Sequence, residues 1–197
     1  MGRTGVRLLV ATATATMLST AAFAQDTPAR VGFATGASAG FADFGGDAFA
    51  NLNSAFGLEV TARYTWAGNF QALLGLHYGS HAVAGAGDSD LSLISIFADG
   101  RYVLAMMNSQ RFSPYIGGRI AYVGLNPNAA GVDGTGGFSV GGLVGFLFEV
   151  VPRLAVEAYG YFGGLVMGDA VALPSDTDDA NGNLTIVQFG LVYNLGR

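Results

Sequence analysis

Two histidines, His77 and His81, stand four residues apart, a spacing that on a helix would turn both imidazoles toward one metal ion. On a strand the same spacing spans about 13 Å, so the rings cannot share an ion and are expected to serve a polar interior. Ser95 and Asp99 in the next segment add, with His77, the residue types of a Ser-His-Asp relay. A polar interior uses the same types, and that is the reading adopted. The stretch Thr177-Asp178-Asp179-Ala180-Asn181-Gly182, with Gln188 at the twelfth place, partly matches a calcium loop. That pattern wants Asp first and Glu twelfth, so diffuse attraction of divalent ions by acidic loops is the expectation. Gly131 to Gly137 is glycine-rich, but no helix follows to make it a phosphate cradle. No catalytic residue, metal ligand or cofactor is assigned.

The elements that carry these residues alternate with period two, the mark of strands with unlike faces. Phe56, Leu58, Val60, Ala62, Tyr64 and Trp66 share one face, against Gly57, Glu59, Thr61, Arg63 and Thr65 on the other. Phe70 to Tyr78 and Ile94 to Leu104 follow the same rule, as do the segments running through Ile116–Tyr122, Phe138–Val150, Leu154–Phe162 and Val187–Leu195. A weaker first segment runs from Val31 to Phe41, which makes eight strands. Their connections alternate too. Residues 67–69, 105–111 and 151–153 form short turns, whereas 42–54, 83–90, 125–136 and 166–183 form long, Gly-, Asn- and Asp-rich loops. The pattern is a meander with tight turns at one end and loops at the other.

Placement of the aromatics decides which face is inside. With the short turns below, Trp66, Phe70, Tyr102, Phe112, Phe148 and Tyr193 mark the lower strand ends. Phe41, Phe56, Tyr78, Tyr122, Phe138 and Phe162 mark the upper ends, with aliphatic residues between. Two aromatic girdles around an aliphatic band suit a lipid-facing barrel, and closure is compulsory because an open edge in hydrocarbon strands its backbone polar groups. The Gly-rich polar face then lines the lumen. The reading is all-β: an eight-stranded antiparallel up-and-down transmembrane β-barrel.

Composition and charge agree. The chain is 51% hydrophobic and 12% charged, with 31 glycines and no cysteine, which excludes disulfide scaffolds and thiol chemistry. All the basic residues are arginines, and a net charge of −5 argues against nucleic acid as a partner. Asp43, Asp47, Asp88, Asp90, Asp133, Asp169, Asp176, Asp178 and Asp179 fall in the long loops, whereas Arg30, Arg111, Arg153 and Arg197 lie at the short-turn end. Arg3 and Arg7 precede an apolar stretch ending in Ala22-Phe23-Ala24, which reads as a secretory signal peptide over 1–24, leaving 25–197 as the barrel domain.

With these features in hand, the sequence resembles the small eight-stranded outer-membrane β-barrel family of the OmpA transmembrane-domain and OmpX type. The resemblance spans 25–197 and is carried most specifically by Pro114-Tyr115-Ile116-Gly117-Gly118-Arg119 and by the last strand. There Gln188, Gly190, Tyr193 and Leu195 occupy the places of the family's C-terminal assembly signal, although the chain runs on through Gly196-Arg197 and has Leu where Phe is commoner. The resemblance implies an outer-membrane location with periplasmic termini and extracellular loops. It implies contact with outer-membrane lipid, lipopolysaccharide and the barrel-assembly machinery, and loops where an extracellular ligand would dock. It implies no single activity, because the fold hosts adhesins, pores and lipid-A-modifying enzymes alike. The His-x-Ser motif of barrel lipid-A deacylases is not matched by His77-Tyr78-Gly79-Ser80, whose His and Ser face opposite ways.

The expectation is therefore a non-enzymatic integral outer-membrane barrel with acidic loops, in a structural or surface-interaction role. The alternative is a small low-conductance pore; a lipid-A-modifying enzyme ranks third. Arg63, Arg101, Glu149 and Glu157 all point inward in the lower half of the barrel. Two arginines facing two glutamates across a narrow lumen would satisfy one another, and the four are expected to form a plug that closes the barrel to ions. Gly145 is expected to leave space for the long arginine side chains.

Overall fold

The structure, a computed structural model, describes residues 31–67, 69–83, 90–104, 107, 111–127, 134–168 and 180–195. The signal-peptide reading, Arg30, Arg197 and the loop aspartates Asp88, Asp133, Asp169, Asp176, Asp178 and Asp179 lie outside these residues, as does the first half of the calcium-like stretch, 177–179. Eight strands, β1 (Gly32–Gly45), β2 (Ala55–Thr65), β3 (Phe70–Ala82), β4 (Asp90–Val103), β5 (Phe112–Pro127), β6 (Thr135–Val151), β7 (Leu154–Met167) and β8 (Ala180–Asn194), form one closed barrel in sequence order. Every neighbouring pair is antiparallel, and β1 closes on β8. No helix among the described residues is long and apolar enough to cross a membrane.

Tight turns hold the lower end. In the β2–β3 turn the Trp66 amide donates to the Phe70 carbonyl at 2.9 Å, and Asn69 takes a left-handed φ of 68°, which its short polar side chain tolerates. Arg153, with φ 76°, does the same work after Pro152 in the β6–β7 turn.

The two faces fall as the alternation requires. Val60, Leu74, Ile96, Ile120, Val140 and Leu191 form an exposed aliphatic belt. Above it Phe41, Phe56, Tyr78, Tyr122, Phe138 and Phe162 are exposed, and below it Trp66, Phe70, Tyr102, Phe148 and Tyr193, while Phe112 is half-buried. Within the girdles rings pair across strands: Phe41 meets Phe56 edge-on at 5.9 Å, and Tyr122 meets Phe138 at 5.4 Å. Such pairs stabilise adjacent strands beyond the area they cover.

The strands run further than the sequence pattern suggests. β1 reaches Gly45, β5 reaches Pro127, β7 reaches Met167, and β6 and β8 begin at Thr135 and Ala180, inside segments read as loops. In these extensions the polarity of the faces inverts. Ala42, Phe44, Leu91, Leu125, Leu165, Met167 and Leu184 turn inward and are buried, while Asp43, Asp90 and Asn126 turn outward. Above the girdle the outer surface leaves hydrocarbon for a polar medium, so the extension buries its apolar face like a soluble barrel. Its mouth is covered by part of the first long loop. A 3-10 helix, Asp47–Phe49, drops Phe49 and Leu52 into the lumen, where Phe49 stacks on Phe44 at 5.2 Å.

Candidate functional site

The lower half of the lumen holds a chain of charges that alternate in sign. It begins at Arg63 on β2, whose two terminal nitrogens donate to the Glu157 carboxylate on β7 at 2.9 and 2.6 Å. Glu157 Oε1 also accepts from Arg101 Nη1 of β4 at 2.7 Å and from the Tyr115 hydroxyl of β5 at 2.8 Å. Arg101 turns its other side to Asp99, donating from Nε and Nη2 at 3.2 and 2.8 Å. Asp99 in turn accepts from Arg119 of β5, from Nε at 2.7 Å and Nη2 at 3.1 Å. Arg119 Nη1 then donates to Glu59 Oε1 on β2 at 3.0 Å, and Glu59 also accepts from the Tyr159 hydroxyl. His77 of β3 ends the chain, its Nδ1 3.2 Å from Glu59 Oε1.

Arg63, Arg101 and Arg119 thus balance Glu59, Asp99 and Glu157, and all six are buried. An unpaired ion in that setting would cost several kcal/mol in lost hydration. Here each carboxylate sits between two donors of opposite charge or a donor and a phenol, which offsets the loss. The bonds run mostly across the lumen rather than along the wall, tying β2 to β5 and β7, and β4 to β7. Aromatic faces complete the packing. The Arg119 guanidinium lies 3.6 Å from the Phe97 ring centroid, and Arg101 lies 4.7 Å from that of Tyr115; both distances are within cation–π range.

Of the four charges expected to meet, Arg63, Arg101 and Glu157 are in direct contact. Glu149 lies lower. It sits half-buried beside Ala155, where the β6–β7 register shifts between Glu149 and Val151, and its backbone amide donates to the Arg111 carbonyl at 2.7 Å. Glu59 and Asp99 supply the remaining acids, and Arg119 the third base. The available sequence signal was the pairing of β4 with β5, which sets Arg119 directly opposite Asp99. Gly145 does not make room for an arginine: a methyl group there would meet the Tyr115 hydroxyl and Tyr159. Space for Arg63 comes from Gly36, and for Arg101 from Gly117.

The Ser-His-Asp combination is not assembled. Although His77 and Ser95 are register partners, the His77 ring leans over Gly57 on β2, away from β4, and its Nε2 has no hydrogen-bond partner among the described residues. Asp99 is occupied by Arg101 and Arg119. His77 and His81 are also separate, since His81 Nδ1 lies 2.9 Å from the Asn53 carbonyl oxygen in the first loop. Among the described residues no group of three or more His, Cys, Asp or Glu could hold a metal ion.

Above the charges the lumen is mainly apolar, apart from the Ser139–Tyr161 hydrogen bond and buried Thr135 and His81. Phe97, Leu93, Val123, Leu125, Leu165 and Leu184 are each at most 2% exposed, and Phe49 closes the stack. Below the charges Ala34, Ala155 and Val192 form a smaller apolar cluster with Leu147 against it. From mouth to base the interior is therefore filled.

A closed, filled barrel with a lipid-facing belt agrees with the match of residues 10–194 to a family described as the outer membrane protein beta-barrel domain. The chain belongs to that family. Outer-membrane barrels of known structure share the fold. Neisserial surface protein A superposes with a TM-score of 0.64 at 18% identity, covering 83% of this chain and 97% of that one. OprG from Pseudomonas aeruginosa gives 0.54 at 14% identity, covering 85% and 98%. No curated protein matches the sequence. Family membership places this barrel in the outer membrane. It leaves its activity to be argued from the lumen, because relatives at such identities share architecture rather than chemistry.

Proposed function

We propose that this barrel is a closed, non-enzymatic anchor of the outer membrane that presents its long-loop end at the cell surface. The filled lumen carries the reading. Eight strands leave an interior that side chains can fill, and here an interlocked ion chain lies in series with an apolar core and a seated lid. A water-filled path would have to breach all three. The acidic, Asn-rich long-loop end is then the surface on which an extracellular ligand would act. The belt and girdles would meet lipid and lipopolysaccharide. Reading the last strand as the assembly signal is supported by its facing: Tyr193 and Leu195 are exposed on the outer side, while Gln188 is buried in the lumen and Gly190 packs against Ser38 of β1.

Solute flux tests the reading against the small-pore alternative. Liposomes carrying the purified protein are expected to exclude small neutral sugars and amino acids as well as protein-free liposomes do. Size-dependent entry of these solutes would make the protein a pore.

A further inference from the structure

We propose that the first long loop is an acid-released lid and that His81 is its latch. The lid is a compact unit. Gly46, with φ 117°, turns the chain, the helix Asp47–Phe49 follows, and Leu52 bridges to Val83 beyond the end of β3. Phe49 and Leu52 are buried in the mouth, where Gly182 of β8 leaves room for the Phe49 ring. Polar ties between lid and wall are few. The Asn53 amide donates to the Ala82 carbonyl at 3.1 Å, Ser54 Oγ donates to Asp43 Oδ1 at 2.7 Å, and His81 donates from Nδ1 to the Asn53 carbonyl at 2.9 Å.

Only the last of these involves a buried titratable group. A carbonyl oxygen cannot donate, so Nδ1 carries the hydrogen and a neutral ring leaves Nε2 bare. That atom has no partner among the described residues, the residue is fully buried, and the Phe44 ring lies 4.9 Å away. Protonation would place a cation and a second N–H, without an acceptor, in an apolar setting. The surrounding charges do not supply that acceptor. Asp43 on β1 faces outward and is engaged by Ser54, and Asp47 on the lid helix is exposed. Asp90 on β4 is exposed opposite Ala82, while Glu59 on β2 is held by Arg119 and Tyr159. His77, on the same face of β3, would repel the new charge if it were itself protonated.

Release of the lid hydrates the ring and lets it take the proton freely. The open state therefore binds the proton more readily than the closed one, and acid favours opening. The other polar ties, the Asn53–Ala82 backbone bond of the Leu52–Val83 bridge and the Ser54–Asp43 bond, include no buried titratable group, so the pH dependence falls on His81.

The chain has no cysteine, so a nitroxide on Asn51→Cys, an exposed lid position, reports lid motion cleanly in the bilayer-reconstituted protein. The label is expected to be immobile at about pH 7.5, to show a several-fold larger mobile fraction at about pH 4.5, and to recover on neutralisation. In His81→Gln, whose amide can donate to Asn53 without titrating, it is expected to stay immobile at both values. In Asp43→Asn it is expected to respond as in the parent. An unchanged spectrum in the parent, an equal response in His81→Gln, or a response lost in Asp43→Asn would each overturn the proposal.

Discussion

Replacing Glu157 by alanine is expected to cost about 3–5 kcal/mol of barrel stability, the usual penalty for removing one partner of a buried ion pair. Glu157 is the acid that joins two arginines, accepting both terminal nitrogens of Arg63 and one of Arg101. Without it Arg63 keeps its charge but loses its carboxylate, and its Nε already lacks a partner. Arg101 retains Asp99, so the damage should concentrate at β2 and β7. Glu157→Gln keeps the shape and an acceptor oxygen while losing the charge, and should fall between alanine and the parent. The single tryptophan, Trp66, lies at the lower end of β2 and serves as the probe for urea unfolding in bilayers. A loss below about 1 kcal/mol, the scale of an exposed pair, would mean that water solvates these groups.

The second large effect is expected at Phe97. Truncation to alanine should cost about 3–5 kcal/mol, since it opens a cavity in the close-packed core and also removes the ring under Arg119. Gly75 sits directly beneath that ring on β3, so close that a methyl group there would overlap it. Gly75→Ala alone is therefore expected to destabilise by overpacking, about 1–3 kcal/mol. In the Phe97→Ala background the same methyl should be neutral or helpful, because it enters the new cavity. The double-mutant cycle in urea checks this coupling; additive effects would show that ring and glycine are not in contact.

Much of the fold was legible because the lipid belt imposes an unusually clean pattern. From Phe56 to Trp66 every second residue is apolar, and the barrel turns each of those side chains except half-buried Tyr64 well outward. The signal failed where the surroundings change. Leu91, Leu125, Leu165 and Leu184 continue the alternation above the girdle, but there apolar means inward. Leu125 falls inside a segment that reads as a loop and the other three border one, because the rule of apolar toward lipid does not hold along a strand that passes through two media. The seated lid was missed for a related reason: Phe49 and Leu52 are isolated apolar residues in a segment otherwise typed as an acidic loop.

Within the site, facing was legible and partnership was not. Period two places Glu59, Arg63, Asp99, Arg101, Arg119 and Glu157 in the lumen, yet which charges meet depends on strand stagger and on reach across the barrel. Glu149 shows the difficulty. It has the right parity, but it sits at the strand end beside a register shift, below the level of Glu157. Parity turns Arg119 inward, but its partner follows only from the pairing of β4 with β5, which sets it opposite Asp99. Parity follows from local sequence, whereas depth requires the register of the whole sheet.

On the proposed reading, ion chain, apolar core and lid together leave no continuous aqueous path through the barrel. Ionic current through the purified protein in a planar bilayer tests it most directly. A closed barrel should give a baseline indistinguishable from bare lipid at either polarity. Reproducible, steady unitary steps from the parent protein would contradict it.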